Sequence, residues 1–374
     1  MAGAFYLSLL VGPMVPVPVP QPVLDALVSV EAKSGAGEAS GFQLVFSLSN
    51  KSPLHTMFLL SAGQTPLLRV VIVATFNGVP TVLADGVTTR TDVAPGAAPG
   101  ETRLTVTGVD LSQMMDLIDM TGIPYPAMPV EARVALCLAR YAMFGIIPLV
   151  IPRLFMDVPL PTDRIPTHQG TDLAYIRQLA REAGYVFYVS PGPAPLTSVA
   201  YWGPELKIGL PQPALNVDMG PDTNCDQINF AFDASQATLP IVYVQEPMTK
   251  ISIPVPVPKL NPLQPPLGLI PPLPVQISPL RDTAKDSPPA ALGKGVAEAS
   301  RSGDAVTGSG SLNALRYGRL LQSRGLVGVR GVGMAFDGLY FVKTVTTTLK
   351  RGEIKQSFTL TRNGLVSITP LVPT

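Results

Sequence analysis

Forty-one prolines and 33 glycines punctuate the 374 residues of this chain. Each proline fixes φ near −65° and removes a backbone donor. Each glycine adds conformational freedom that a regular element must give up. A chain interrupted this often cannot build a long helical bundle, and short strands, turns and extended segments are what remain. Hydrophobic residues still make up 46% of the sequence, enough for a sizeable core. Only 14% of residues are charged, against roughly 25% in ordinary domains. Lys plus Arg number 27 and Asp plus Glu 26, a formal net charge of +1. That balance lacks the basic excess a nucleic-acid binder needs, so no nucleic acid specificity is expected.

Hydrophobic periodicity divides the chain into five stretches. Residues 1–112 form an N-terminal arm and a first β-barrel. Phe5 to Gly12 is apolar, but no basic residue precedes it and Pro13 stops it, so it reads as a strand and not a secretory signal. Pro13 to Pro22 is an extended arm. From Leu24 to Gly108 the apolar period is two, with turns expected at Gly35-Ala36-Gly37, Asn77-Gly78, Asp85-Gly86, Pro95-Gly96 and Pro99-Gly100. Residues 113–192 form an α+β insertion. Leu111 to Ile118 and Val130 to Phe144 read as helices, the second starting at Pro129. A further helix carries the stripe Leu173, Ile176, Leu179, Ala180 and Ala183, capped by Asp172 and ended by Gly184 before a strand at Tyr185–Val189.

Residues 193–250 hold the first strands of a second barrel, opening near Ser198. Residues 251–311 form a proline-rich extended arm over 251–289, then a small polar stretch, Ala290 to Ser311, expected to be a flexible linker. The arm carries Ile253, Val255, Val257, Leu267 and Leu269, a docking surface for partner proteins if it lies along a neighbour. Residues 312–374 complete the second barrel with a helix at Leu312–Ser323, a strand at Gly325–Val329 and two hairpin strands after Asp337-Gly338. No stretch reaches the ~20 apolar residues of a membrane helix, and Pro148 and Pro152 interrupt the most apolar window, so no stable membrane insertion is expected.

Candidate chemistry is sparse. Two Cys (Cys137, Cys225) and two His (His55, His168) have no metal-ligand spacing, and Cys137 lies in an apolar helical pattern as a core residue. Glycoside hydrolysis needs two carboxylates. Glu131, Asp157, Asp172 and Glu182 are the acids of the insertion, and each reads as a helix cap or a solvated residue. His168 follows Pro166 and reads as a loop residue, with no Gly-x-Ser-x-Gly elbow in the chain. Gly328-Val329-Arg330-Gly331-Val332-Gly333 lacks the following helix of a dinucleotide loop. No catalytic, cofactor-binding or metal residue is therefore assigned, and the protein is expected not to be an enzyme.

Three segments carry a resemblance. Asp337 to Lys343, then Arg351-Gly352-Glu353 and Gln356 to Arg362, resemble the closing hairpin of phage late control protein D. That family includes the hub part of VgrG-type proteins and the central baseplate hub of contractile tails. Gly170 to Ala180 with Gly184 to Val189 is similar to its internal helix and strand, and Gly100 to Met115 to the segment closing its first barrel. The resemblance implies a mainly β fold of two tail-tube-like β-barrel domains with an α+β insertion. It implies a homotrimer whose six barrels match a three-fold spike to a six-fold inner tube protein, in a phage virion tail or contractile injection particle assembled in the bacterial cytoplasm. VgrG-type proteins continue into an OB-like module and a β-helical spike, absent before Thr374, so a separate spike protein is expected. The alternative reading is a tail-associated module that degrades the envelope or binds carbohydrate.

Overall fold

The computed structural model describes residues 5–13, 15–37, 39–49, 52–60, 67–96, 101–153, 165–192, 194–245, 252–257, 264–274, 276–280, 288–301, 304–369 and 372. The fold is mainly β. Thirteen strands form one hydrogen-bonded sheet. From one edge its order is Cys225–Phe232, Val306–Asn313, Glu353–Arg362, Gly338–Lys350, Leu27–Gly35, Gly41–Ser47, Arg103–Asp110, Val79–Ala94, Arg69–Phe76, Phe5–Gly12 and Val17–Pro18. Gln212–Asn216 and Leu326–Arg330 branch from Gly338–Lys350.

The two β-rich regions expected from the sequence are thus halves of one sheet, joined where Thr344–Lys350 pairs antiparallel with Ser29–Gly35. One side-chain core runs under both halves, from Leu9, Phe42, Leu44 and Phe46 to Leu215, Val306, Tyr340 and Leu360. Arg69–Phe76 is buried along its whole length. Its continuous run of Val and Ile, without polar alternation, fits a strand covered on both faces.

Local turn chemistry explains one hairpin and corrects another expectation. Asn77 (φ 49°) and Gly78 (φ 82°) occupy the left-handed conformations of a two-residue hairpin turn between Arg69–Phe76 and Val79–Ala94. Asp85-Gly86 is not a turn. Both residues lie inside the long Val79–Ala94 strand. Gly86 is needed because a Cβ there would sit 2.1 Å from the Val109 carbonyl oxygen.

The insertion has its own core, built around Leu111, Val134, Ile176, Leu179 and Trp202. Helices Val130–Ala139 and Asp172–Ala183 accompany a three-stranded sheet of Ile146–Val150, Ser198–Gly203 and Val186–Pro191. Ser198–Gly203, expected to open the second barrel, therefore belongs to the insertion's sheet. The helix from Val130 ends at Ala139, short of Phe144, and Leu111–Asp116 is a 3-10 helix. Thr171, not Asp172, caps the second helix, its hydroxyl accepting from the Ala174 N–H at 3.2 Å. Gly184 ends that helix at φ 67°, as expected.

The proline-rich tract is more ordered than an extended arm. Ser252–Pro256 and Gln276–Leu280 flank Thr238–Gln245 in a second three-stranded sheet. Gly268–Ile270 pairs with Leu365–Ser367. Ala290 to Ser311 is not a flexible linker: it lies in the helix Pro288–Arg301 and the strand Val306–Asn313. The helix packs through small residues. Ala291, Ala297 and Ala299 are buried, and a Cβ at Gly295 would lie 2.6 Å from Val242 and Val257. In the strand, Gly308 and Gly310 leave room for the rings of Phe230 and Phe358, which a Cβ would meet at 2.6 and 2.8 Å. The expected helix at Leu312–Ser323 shrinks to Ala314–Tyr317, ended by Gly318 at φ 79°.

Candidate assembly surfaces and a buried polar cluster

The two ends of the large sheet differ chemically. At one end, Val19 N–H donates to the Leu9 carbonyl at 3.0 Å, and Val17 lies opposite Val11. Residues 17 and 19 face the sheet, so Pro18 faces outward, where a donor is missing. The same device recurs in the smaller sheet. Val257 N–H donates to the Pro240 carbonyl at 3.0 Å, and Val255 lies opposite Val242. Pro254 and Pro256 therefore point to the open side. Alternating proline leaves an edge strand fully paired inward and unable to donate outward, which blocks strand addition. The opposite end of the large sheet, Cys225–Phe232, has no proline and pairs only with Val306–Asn313 among the described strands. Asp226, Gln227, Asn229, Ala231 and Phe232 are exposed there. No other described strand pairs with this edge.

A second surface is apolar. The folded part of the proline tract exposes Ile253, Leu269, Ile270, Leu273 and Ile277, with Leu273 84% accessible. Five exposed leucines and isoleucines within 25 residues of sequence make this tract a candidate contact area.

Buried arginines fasten the regions to each other. Arg69 Nε and Nη2 donate to both carboxylate oxygens of Asp85 at 2.8 and 2.7 Å, and Arg69 Nη1 to the Phe144 carbonyl at 3.0 Å. Ser198 Oγ donates to the same Asp85 carboxylate at 3.2 Å. The supposed turn residue thus ties the first half of the sheet to the insertion. Arg324 donates to the Gly35 carbonyl at 2.7 Å and lies 3.9 Å over the Tyr188 ring, joining the second half to both other regions. Burial pulls its guanidinium below the ordinary arginine range. Arg362, wholly buried, donates to the carbonyls of Ala335, Asp337 and Gly364 and stacks on Tyr340. No sequence signal marks these contacts, because each pairs residues distant in the chain or uses main-chain carbonyls.

The candidate chemical residues are placed as follows. Glu131 accepts from Arg153 Nε at 2.8 Å; burial works to raise its carboxyl, but hydrogen bonds, chiefly from Arg153, hold it below the usual range. Glu182 accepts from Gln178 on the helix surface. Asp157 lies outside the described residues. Gly328 to Gly333 runs from a strand into a bend: a Cβ at Gly328 would meet Val372 at 2.0 Å, and Gly331 adopts φ 90°. His168 lies outside any helix or strand, as a loop residue should, but it is not solvated. It is fully buried, with Nδ1 2.9 Å from the Tyr125 hydroxyl, and burial pulls its pKa down. Asp172, also buried, accepts from Arg140 at 3.2 Å and from the Tyr141 hydroxyl at 2.8 Å. Cys137 completes the cluster as a buried thiol that burial pushes up to about 11.

A cleft of about 550 Å³ lies elsewhere, between Val79–Leu83, Tyr188–Gly192, Leu320–Arg324 and the Thr347–Gln356 pair. Among its described lining residues there is no carboxylate, His or Cys.

No protein-family model matches the chain, and no curated protein matches it in sequence. Solved structures do match. A tail protein from Neisseria meningitidis superposes with a TM-score of 0.61 at 13% identity, covering 96% of this chain and 98% of that one. The 43 kDa tail protein of prophage MuSo2 from Shewanella oneidensis gives 0.61 at 12%, covering 96% and 99%. An Escherichia coli component of the type VI secretion system, itself structurally similar to the T4 tail proteins gp27 and gp5, gives 0.53 at 11%, covering 93% and 77%. Over nearly its whole length, the chain has the mainly β fold of these phage tail and VgrG-like proteins.

Proposed function

We propose that the chain is a non-catalytic structural subunit of a tail baseplate. In this reading it forms the central hub, a homotrimeric ring between a spike protein and the inner tube protein of a contractile phage tail or injection particle. The observation that carries the reading is the end-to-end fold likeness to phage tail proteins, 96% of this chain against 98% of the Neisseria protein. A likeness of that extent covers both halves of the sheet and the insertion together, not one borrowed module.

The sheet supports the ring. Two β-rich halves per chain give six in a trimer, so a closed three-fold assembly can present six similar surfaces to a tube. One end of the sheet is blocked by outward proline, while Cys225–Phe232 carries no proline to block a neighbour. The low charged fraction, 14%, suits interfaces depleted of Lys and Glu. The exposed aliphatics of the 251–289 tract give other baseplate proteins a place to dock. The cleft's described lining carries no carboxylate, His or Cys, the side chains that most often do acid–base or nucleophilic work.

Cross-linking with mass spectrometry on intact particles tests the placement. Links from this chain to both a spike and a tube protein are expected; links to neither would refute it. Hydrolysis of purified peptidoglycan by the isolated chain would refute its non-catalytic role.

A further inference from the structure

The buried polar cluster of the insertion has no part in the tail reading. Cys137 Sγ, a ring nitrogen of His168 and a carboxylate oxygen of Asp172 lie within 4.8 Å of one another, and all three residues are buried. They come from three places in the fold. Cys137 is on helix Val130–Ala139, His168 sits in the segment leading to the next helix, and Asp172 is that helix's first residue.

The imidazole is the informative group. Its Nδ1 is held by the Tyr125 hydroxyl at 2.9 Å, while Nε2, wholly buried, has no hydrogen-bond partner. Nε2 lies 3.5 Å from Asp172 Oδ1, at the edge of hydrogen-bond reach. Native interiors leave few such atoms unsatisfied. A cation held with Cys137 and Asp172 would give Nε2 the partner it lacks.

We propose that Cys137, His168 and Asp172 form a binding site for a divalent cation of the zinc class. One sulfur, one imidazole nitrogen and one carboxylate oxygen are a donor set that suits Zn²⁺ rather than Mg²⁺ or Ca²⁺. Tetrahedral zinc bonds of ~2.0–2.3 Å set neighbouring ligand atoms ~3.3–3.7 Å apart. The present spacing closes to that with movements of about an ångström. The surroundings already resemble an outer shell: Tyr125 fixes the ring through Nδ1, and Tyr141 and Arg140 hold Asp172. Thiolate and carboxylate supply the negative charge at the ion, and Arg140, one third exposed, pairs with the same Asp172 carboxylate at 3.2 Å. Binding releases the Cys137 thiol proton to solvent. The ion would pin both insertion helices to the segment between them, whether or not the chain is a hub.

The test uses the purified full chain with Zn²⁺ and Co²⁺ as probes. About one equivalent of zinc should remain after dialysis, and cobalt should give a thiolate-to-metal charge-transfer absorption. Cys225→Ala, which removes the only other thiol, should keep that absorption. This control assigns the band to Cys137 even if Cys137 variants fail to fold. His168→Phe should lose the bound equivalent while Trp202 fluorescence reports a folded insertion. Zinc should also raise the thermal midpoint of the parent, and chelator should lower it. Less than a tenth of an equivalent bound, no charge-transfer band, or a band lost in Cys225→Ala would overturn the proposal.

Discussion

Asp85→Ala should be among the most damaging single substitutions outside the apolar core. The Asp85 side chain is wholly buried and its partner Arg69 only 5% accessible. Removing the carboxylate leaves a guanidinium in the interior without its counter-charge, and also strips Ser198 of an acceptor. Breaking a buried pair by deleting one partner costs about 3–5 kcal/mol. With a urea m-value near ~3 kcal/mol/M, the midpoint should fall by about 1–1.7 M. The chain offers its own probe. Its one tryptophan, Trp202, is buried in the same strand as Ser198 and lies edge-on to Tyr185 at 4.9 Å. Urea unfolding followed by Trp202 fluorescence therefore reads the region that Asp85 anchors. The double variant Arg69→Met/Asp85→Leu should recover most of the loss, because neither charge is then left unpaired. A single-variant loss under ~1 kcal/mol, or a double variant as weak as the sum of the singles, would refute this assignment of the anchor.

Gly310→Ala should destabilise by roughly 1–3 kcal/mol, since the new Cβ would lie 2.5 Å from the Gln227 carbonyl and 2.8 Å from the Phe358 ring; chemical denaturation checks it. Pro254→Ala/Pro256→Ala should change folding little but restore two outward donors, and light scattering should show concentration-dependent association absent from the parent. Glu131 gives a pH prediction. Its folded carboxyl is held below the usual range, so its contribution is present above the unfolded value of about 4.3 and is lost as pH falls through the folded value. Glu131→Gln should therefore be less stable than the parent at pH 7, and the gap should close as pH falls through the lowered folded value in a pH series of thermal midpoints.

What could be read from the sequence was local or came with the family resemblance. Asn77-Gly78 and Gly184 were legible because each position demands a left-handed backbone that its own residue supplies. Asp85-Gly86 has the same letters as a hairpin turn but answers a different demand, the approach of the Val109 carbonyl and the charge of Arg69. No dipeptide rule separates the two. The stretch Ala290 to Ser311 misled because its small residues are what close packing requires. Glycine at 308 and 310 sits under aromatic rings from neighbouring strands, and Gly295 lets the helix lie against Val242 and Val257. The proline tract did hold a readable signal. Proline at every second position, 254 and 256, matches the parity of outward-facing residues on an edge strand, and Pro18 follows the same pattern at the other sheet. His168 and Asp172 are four residues apart, but Cys137 reaches them only through the packing of two helices, so spacing along the chain could not reveal the set.

The central claim is that three copies of this chain form the ring between spike and tube. Its most direct test is the stoichiometry and position of the chain in a cryo-EM reconstruction of the intact particle. Three copies about the tail axis, each with both halves of its sheet facing the first tube ring, are expected. A single copy, six copies, or a position away from the axis would contradict it.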